Sequence, residues 1–391
     1  MPKADQISLF AHAPLPQAPL DDTQRLACLR LIRSEQVGPV TFRELINQFG
    51  GADVALEVLP ELVRRGGGKR TIRICPRDTA EAELAAAAKA GATPLFTIEP
   101  GYPAALAHVD APPPMLYVKG RAEMLARPAV GIVGSRNASA AGQRFTRQIA
   151  TALGAEGLMV VSGLARGIDA AAHEASLATG TVAVVAGGID IIYPPEHDAL
   201  QARIGTEGCL VTEQPPGFVP RAQDFPRRNR IISGMSLGVL IVEAARRSGS
   251  LITARTAGEQ GREVMAVPGH PLDPRAEGTN QLLRDGATLV TRASDVIEAL
   301  APILQARTLD RPAELRDEPD PSPSHAPRSV TIGEDVRTAV LAALGPAPVG
   351  VDEVARAARL DIRSVRIALL ELALAGRIEQ HGGQLVSLRL G

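Results

Sequence analysis

The sequence predicts an α/β protein: an open, mostly parallel sheet covered on both faces, with an all-helical domain before it and a winged-helix domain after it. Three observations carry this. Between residues 129 and 300, short continuous apolar runs alternate with helical stretches, the pattern of strands buried on both faces. Ahead of that region the apolar spacing is helical throughout. Behind it, three helical segments precede two short strands about Gly382-Gly383, the order of a winged helix.

Taken in order, residues 1–20 read as a loose arm. Residues 21–92 form a helical, helix-hairpin (SAM-like) domain. LACLRLIRSEQVGPVTFRELINQFG gives a helix, a turn at Gly38-Pro39 and a second helix with Phe42, Leu45, Ile46 and Phe49 on one side. The turn has few basic residues, so a packing or protein-contact role is favoured over direct contact with DNA. Residues 93–305 form the central domain. Its prolines near residue 112 hold an extended crossover, and MLYVKG is a short strand. Strand-like runs follow at 129–134, 158–163, 181–188, 208–213, 237–244, 262–269 and 287–290. Residues 306–330, charged and proline-rich without apolar periodicity, read as a linker. Residues 331–391 are the winged helix.

Composition narrows the function. The 391 residues carry 42 basic and 43 acidic side chains, a formal net charge of -1, so nothing draws the whole chain to a polyanion. Aromatics make up 3% with no Trp, leaving few stacking platforms. Lysine ends at Lys119, and every later strong cation is arginine. Cys28, Cys75 and Cys209 lack metal or disulfide spacing, which suits a reducing compartment, the cytoplasm. No leader and no run of about 20 apolar residues is apparent, so a soluble protein without membrane insertion is expected.

In an open parallel sheet, ligands sit beyond the carboxyl ends of the strands. Six such ends carry Gly, Ser, Arg or Asn. The first is Gly134-Ser135-Arg136, where a hydroxyl, a guanidinium and a helix start suit a phosphate. Without the third glycine of a dinucleotide fingerprint, a plain tight turn is an equal reading. The second holds Ser162, Gly163 and Arg166, followed by Asp169 and His173 four residues apart on one helical face. A proton relay is possible there, but a hydrogen-bonded helix face is favoured. The third, Gly187-Gly188, leads to Tyr193-Pro194 at a corner, where Tyr193 either stacks on a base or packs. The fourth is PRRNRIISG, with three arginines in four positions: Arg227, Arg228 and Arg230 beside Asn229. They are expected at the start of a short helix whose Ile231 and Ile232 face inward. Such crowding opposes the helix field and calls for an anionic partner or acidic neighbours. The fifth brings Glu243, Arg246, Arg247 and Ser250, and the sixth Gly269, His270, Gly278, Thr279 and Asn280. No paired carboxylates, serine triad or thiolate–imidazole pair emerges, so no catalytic residue, cofactor or metal is assigned. Residues 129–300 hold 16 Arg against 17 acidic residues, so polyanion binding there requires the arginines to gather on one rim.

The runs SGLARGIDAAAH, GGIDIIYPPEH, FPRRNRIISGMS, VEAARRSGSLITA and GTNQLLRDGA closely resemble the DNA-processing protein A family, also called Smf. The resemblance spans the whole central domain. It implies an extended Rossmann-like domain that binds single-stranded DNA, self-associates as a homodimer or larger assembly, and helps load the RecA recombinase during natural transformation, without enzymatic activity. Matched by motif, it implies DNA contact at Gly134, Ser135, Arg136, Ser162, Gly163, Arg166, Arg227, Asn229 and Arg230. The family usually has a basic residue soon after the Tyr-Pro pair; here the nearest is His197, a weaker contact at neutral pH. Arg246 is a further candidate. The tail, with 7 Arg against 7 acidic residues in 331–391, favours a protein contact or accessory role over duplex reading. The alternative from another class is a nucleotide or phosphoribosyl-processing enzyme of related fold. It requires a carboxylate, Glu213 or Glu243, beside a small closed pocket.

Overall fold

In the computed structural model, residues 19–68, 71–309 and 332–389 are described. Four helices come first: α1 (Asp22–Ile32), α2 (Pro39–Phe49), α3 (Ala52–Arg65) and α4 (Arg77–Lys89). Asp21 and Gln24 close a reciprocal cap on α1. Pro39 opens α2, where the missing N–H costs nothing, and Gly50 ends it in a left-handed conformation. Leu29, Leu31, Phe42, Leu45 and Leu59 fill the core of this bundle. Leu20 belongs to that core as well, and its N–H donates to Glu99 at 3.1 Å. The arm expected over 1–20 therefore stops short of Leu20, and residues 1–18 lie outside the described ones.

The central domain runs β1 (Thr93–Phe96), α5 (Ala104–Ala107), β2 (Met115–Gly120), β3 (Ala129–Val133), α6 (Ala140–Ala155), β4 (Met159–Ser162), α7 (Ile168–Ser176) and β5 (Thr181–Val184). It continues with α8 (Asp198–Glu207), β6 (Cys209–Thr212), α9 (Asp224–Met235), β7 (Gly238–Ile241), α10 (Gly249–Glu259), β8 (Glu263–Ala266), α11 (Glu277–Arg284), β9 (Thr288–Leu289) and α12 (Ala293–Leu309). Each apolar run of the sequence holds one of these strands. The nine strands lie in the order β1-β2-β6-β5-β4-β3-β7-β8-β9. From β6 to β9 all neighbours are parallel. β2 joins that block antiparallel to β6, and β1 pairs antiparallel with β2. The chain thus winds outward from β3 to one side, crosses over, and winds outward again from β7.

Alternate residues of each strand face opposite layers. Val130 and Ile132 pack with Ile149 and Leu153 of α6, Ile168 of α7, and Val296 and Leu300 of α12. Ala129 and Val133 pack with Ile231, Ile232 and Met235 of α9 and with α10. The helical bundle continues the first layer over β5, β6 and β2, through Ala183, Leu210 and Tyr117. The linker expected from 306 begins later, because α12 continues to Leu309; 310–331 lie outside the described residues. The tail folds as α13 (Glu334–Ala342), β10 (Val349–Gly350), α14 (Val351–Ala358), α15 (Ile362–Leu374), β11 (Ile378–His381) and β12 (Leu385–Leu388). Its three strands form a sheet of order β10-β12-β11 around its own core. Among the described residues, no helix is long and apolar enough to cross a membrane.

Candidate nucleic-acid interface

The loop after β4 is built first, because the rest of the site rests on it. Leu164 holds a positive φ of 54°, a costly conformation for a branched side chain. Four bonds secure it. The buried Asp169 carboxylate accepts the N–H groups of Gly163 (3.1 Å) and Ala165 (3.3 Å). The buried His173 accepts the Leu164 N–H at Nε2 (3.3 Å), with Thr181 on its Nδ1 at 2.7 Å. Burial pushes the His173 pKa down to about 3, so the ring is neutral and can accept. The Leu164 carbonyl in turn bonds the His197 ring at 3.0 Å. Asp169 and His173 thus hold backbone, as the hydrogen-bonded helix face expected of them.

Onto this loop lies Arg228. The sequence reading placed RRNR at a helix start, but α9 begins three residues earlier at Asp224. Arg228 then falls on the inward face, in line with Ile231 and Ile232. Its Nη1 donates to the carbonyls of Gly163 (2.5 Å) and Val184, and its Nε to Asn229 (3.1 Å). A Cβ on Gly163 would stand 2.7 Å from the guanidinium carbon, so a side chain there would displace Arg228 from this seat. Burial lowers the Arg228 pKa to about 10, with Asp169 opposing the shift, so the group remains charged at neutral pH.

Arg228 shares one recess with Arg136, Arg166, Gly163, Tyr193 and Phe225. Arg136 comes from the loop after β3, and its guanidinium lies 5.2 Å from the Phe225 ring centroid, a cation–π distance. Among the described residues no carboxylate pairs with it. Arg166 is exposed and meets Glu196 at 2.8 Å. The rings of Tyr193 and Phe225 stand 5.1 Å apart, with Tyr193 43% exposed. The recess encloses about 30 Å³, the share of a single water in the liquid, against roughly 300–1,000 Å³ for enclosed small-molecule sites.

Other expected residues lie elsewhere. Gly134 and Ser135 shape the loop that carries Arg136: Ile168 closes on Gly134, and the Ser135 carbonyl accepts the Ile168 N–H at 3.2 Å. Ser162 is a correction: it is fully buried, its hydroxyl donates to the Ile132 carbonyl at 2.6 Å, and it does not line the recess. His197 is half-buried and committed at Nδ1 to Leu164, so it supports the loop. Arg230 is half-buried, bonded to Glu213 and to the Ala111 carbonyl, so a carboxylate already holds it. Exposed Arg227 stands 3.7 Å from the same Glu213, and Asn229 accepts from Arg228. Arg246, after β7, is 3.7 Å from Glu277 and outside the recess. The carboxylates of the enzyme alternative are both engaged: Glu213 with Arg230, and Glu243 with the N–H (2.9 Å) and hydroxyl (2.5 Å) of Ser139 at the start of α6.

Sequence reasoning passed over Arg228 and Phe225. The signal for Arg228 was its spacing of three and four from Ile231 and Ile232, which marks one helical face once the helix starts at Asp224. Phe225 and Tyr193 lie 32 positions apart in the chain, and only the fold joins them.

A loop-bearing, mostly parallel sheet with a helical domain before it and a small domain after it, and with three arginines gathered in a recess at its strand ends, defines a three-part α/β architecture. Residues 93–301 match the family described as DNA recombination-mediator protein A, 22–86 a DprA-like N-terminal HHH domain, and 318–384 a DprA winged helix domain. The chain is 41% identical to protein Smf of Escherichia coli over 74% of this chain and 75% of that one. It is 36% identical to a putative DNA processing protein DprA of Mycobacterium tuberculosis over 92% of this chain and 87% of that one. Among solved structures, DNA processing protein A of Streptococcus pneumoniae aligns at TM-score 0.55 and 34% identity, over 66% of this chain and 86% of that one. That of Helicobacter pylori, reported for its single-stranded DNA binding mode, aligns at 0.50 and 30%, over 54% and 96%. The chain belongs to the DNA recombination-mediator protein A family, whose members are also called Smf.

Proposed function

We propose that the chain binds single-stranded DNA through this recess and acts as a recombination mediator that loads a RecA-class recombinase on incoming strands. The observation that carries the proposal is the convergence of Arg136, Arg166 and Arg228, distant in sequence, on one shallow hollow. Arg228 makes no hydrogen bond through Nη2 among the described residues, which leaves that donor for a phosphate oxygen. Arginine and backbone hold phosphates without reading bases, and Tyr193 with Phe225 offers a ring face to an unpaired base. A duplex presents no such base. The same reading takes the sheet as extended Rossmann-like, the protein as cytoplasmic and self-associating, and its action as non-enzymatic. The hollow is too small to enclose a nucleotide, and neither Glu213 nor Glu243 is open to it. The test is a titration of labelled single-stranded and duplex oligonucleotides with the wild type, Arg136→Ala and Arg166→Ala. Single strands are expected to bind tighter than duplex, and each variant to bind them more weakly. Equal binding by all three proteins removes the assignment, and nucleotide turnover abolished by Glu243→Gln favours an enzyme.

A further inference from the structure

A winged helix reads duplex DNA with its third helix and its wing; in this chain the C-terminal part of that helix is packed against another domain, and the wing tip touches a third. Helix α15 holds the position of the reading helix, and nine of its thirteen residues are buried. Val365, Ala368 and Leu372 face its own domain core. Leu370 and Leu374 belong instead to the core of the N-terminal helical bundle. The contact is close. A Cβ on Gly66, just past α3, would stand 2.0 Å from the Glu371 carbonyl oxygen and 2.9 Å from the Ala375 Cβ. Arg337 of α13 donates to the Arg65 carbonyl at 2.8 Å and stands 3.4 Å from the buried Glu371 carboxylate. Arg366, a cation that would meet a phosphate if α15 read a duplex, interacts with Glu44 of α2. At the wing tip, the Gly383 N–H donates to Asp110 of the central domain at 3.0 Å.

We infer that the tail is a protein-binding module whose partner is the chain's own helical domain, and that the C-terminal part of its reading helix is spent on that contact while the exposed first turn does not read duplex DNA. The equal count of arginines and acids in the tail fits this role, since an apolar seam with a few paired charges needs no net positive face. The inference does not depend on the single-strand site, which lies on other elements.

Gly66 has ordinary right-handed backbone, with φ -68° and ψ -2°, so alanine there is free of local strain and acts only as a wedge against α15. Hydrogen exchange on the full chain compares wild type, Gly66→Ala, Glu44→Arg and the swap Glu44→Arg with Arg366→Glu. Both single variants are expected to exchange several-fold faster in α15 and in residues 56–66, while β3 and α6 keep wild-type rates; the swap is expected to restore protection. Duplex binding by the wild type is expected to be unchanged by Arg363→Ala with Arg366→Ala. Unaltered exchange in both single variants overturns the inference, as does a duplex affinity that falls several-fold in the Arg363 and Arg366 variant. Should Gly66→Ala fail to fold, the charge swap decides alone: no loss in Glu44→Arg, or no recovery in the swap, overturns it.

Discussion

Arg228 shows how one side chain links fold to site. It is buried and charged, a costly state, and its cost is offset by Asp169 and by two carbonyls at the ends of β4 and β5. Those carbonyls would otherwise lack partners at the carboxyl edge of the sheet, so the guanidinium both seals the edge and lends it charge. Gly163 is the floor on which this depends. Gly163→Ala places a methyl against the guanidinium and must displace it. The expected loss is about 1–3 kcal/mol of stability, typical of overpacking, together with weaker single-strand binding. Urea unfolding and fluorescence anisotropy read the two effects. A variant unchanged in both would show that Arg228 is not fixed by Gly163. Arg227, Arg228 and Arg230 look alike in a sequence; which one turns inward depends on where α9 begins, at Asp224, whose carboxylate accepts the Arg221 N–H at 2.7 Å.

At the scale of elements, the strands were legible because burial on both faces leaves a continuous apolar signature, as in AVGIVG for β3 and LMVVSG for β4. β1, the short TPLF, was not, since an edge strand that is half-exposed carries little pattern. The loops were legible as glycine-rich breaks, but their partners were not: the bonds from Asp169, His173 and His197 to residues 163–165 arise only when α7 and the turn before α8 close over β4. This loop also has a pH signature. His173 titrates near 6.5 when unfolded and at about 3 when folded, so the folded state excludes a proton that the unfolded chain takes up. Its contribution is therefore complete above pH 6.5 and is lost progressively as pH falls from there toward 3, by at most about 1.4 kcal/mol per pH unit. Asp169, its carboxyl raised by burial, works in the opposite sense and is retained in the comparison. His173→Gln keeps a donor and an acceptor but does not titrate. The difference in denaturation midpoint between wild type and His173→Gln is expected to shrink from pH 6.5 downward. A constant difference would mean that the folded ring is protonated.

The whole molecule carries a formal charge of -1, so its attraction for a polyanion comes from segregation alone. Several arginines of the central domain are matched locally: Arg203 by Glu207, Arg255 by Glu259, Arg275 by Asp273 and Arg292 by Asp295. Arg136 and Arg228 are not neutralised by a contacting ion pair, and Arg166 has only an exposed one, which is worth little. That local imbalance, more than any total, gives the recess a positive character. It also sets the salt response. A single strand releases about 0.7 counterion per phosphate neutralised, so three arginines give a slope of log affinity against log salt near -2 per protomer. Arg136→Ala is expected to flatten that slope by about 0.7. Arg230→Ala should behave differently. Its guanidinium is already bound to Glu213, so its loss leaves a half-buried carboxylate with only Arg227 at 3.7 Å, lowers thermal stability, and leaves the slope where it was. The two variants measured side by side over a salt series separate a residue that faces the strand from one that holds the fold. If Arg230→Ala flattens the slope as much as Arg136→Ala, then Glu213 gives way to DNA and the track extends along α9 beyond the recess.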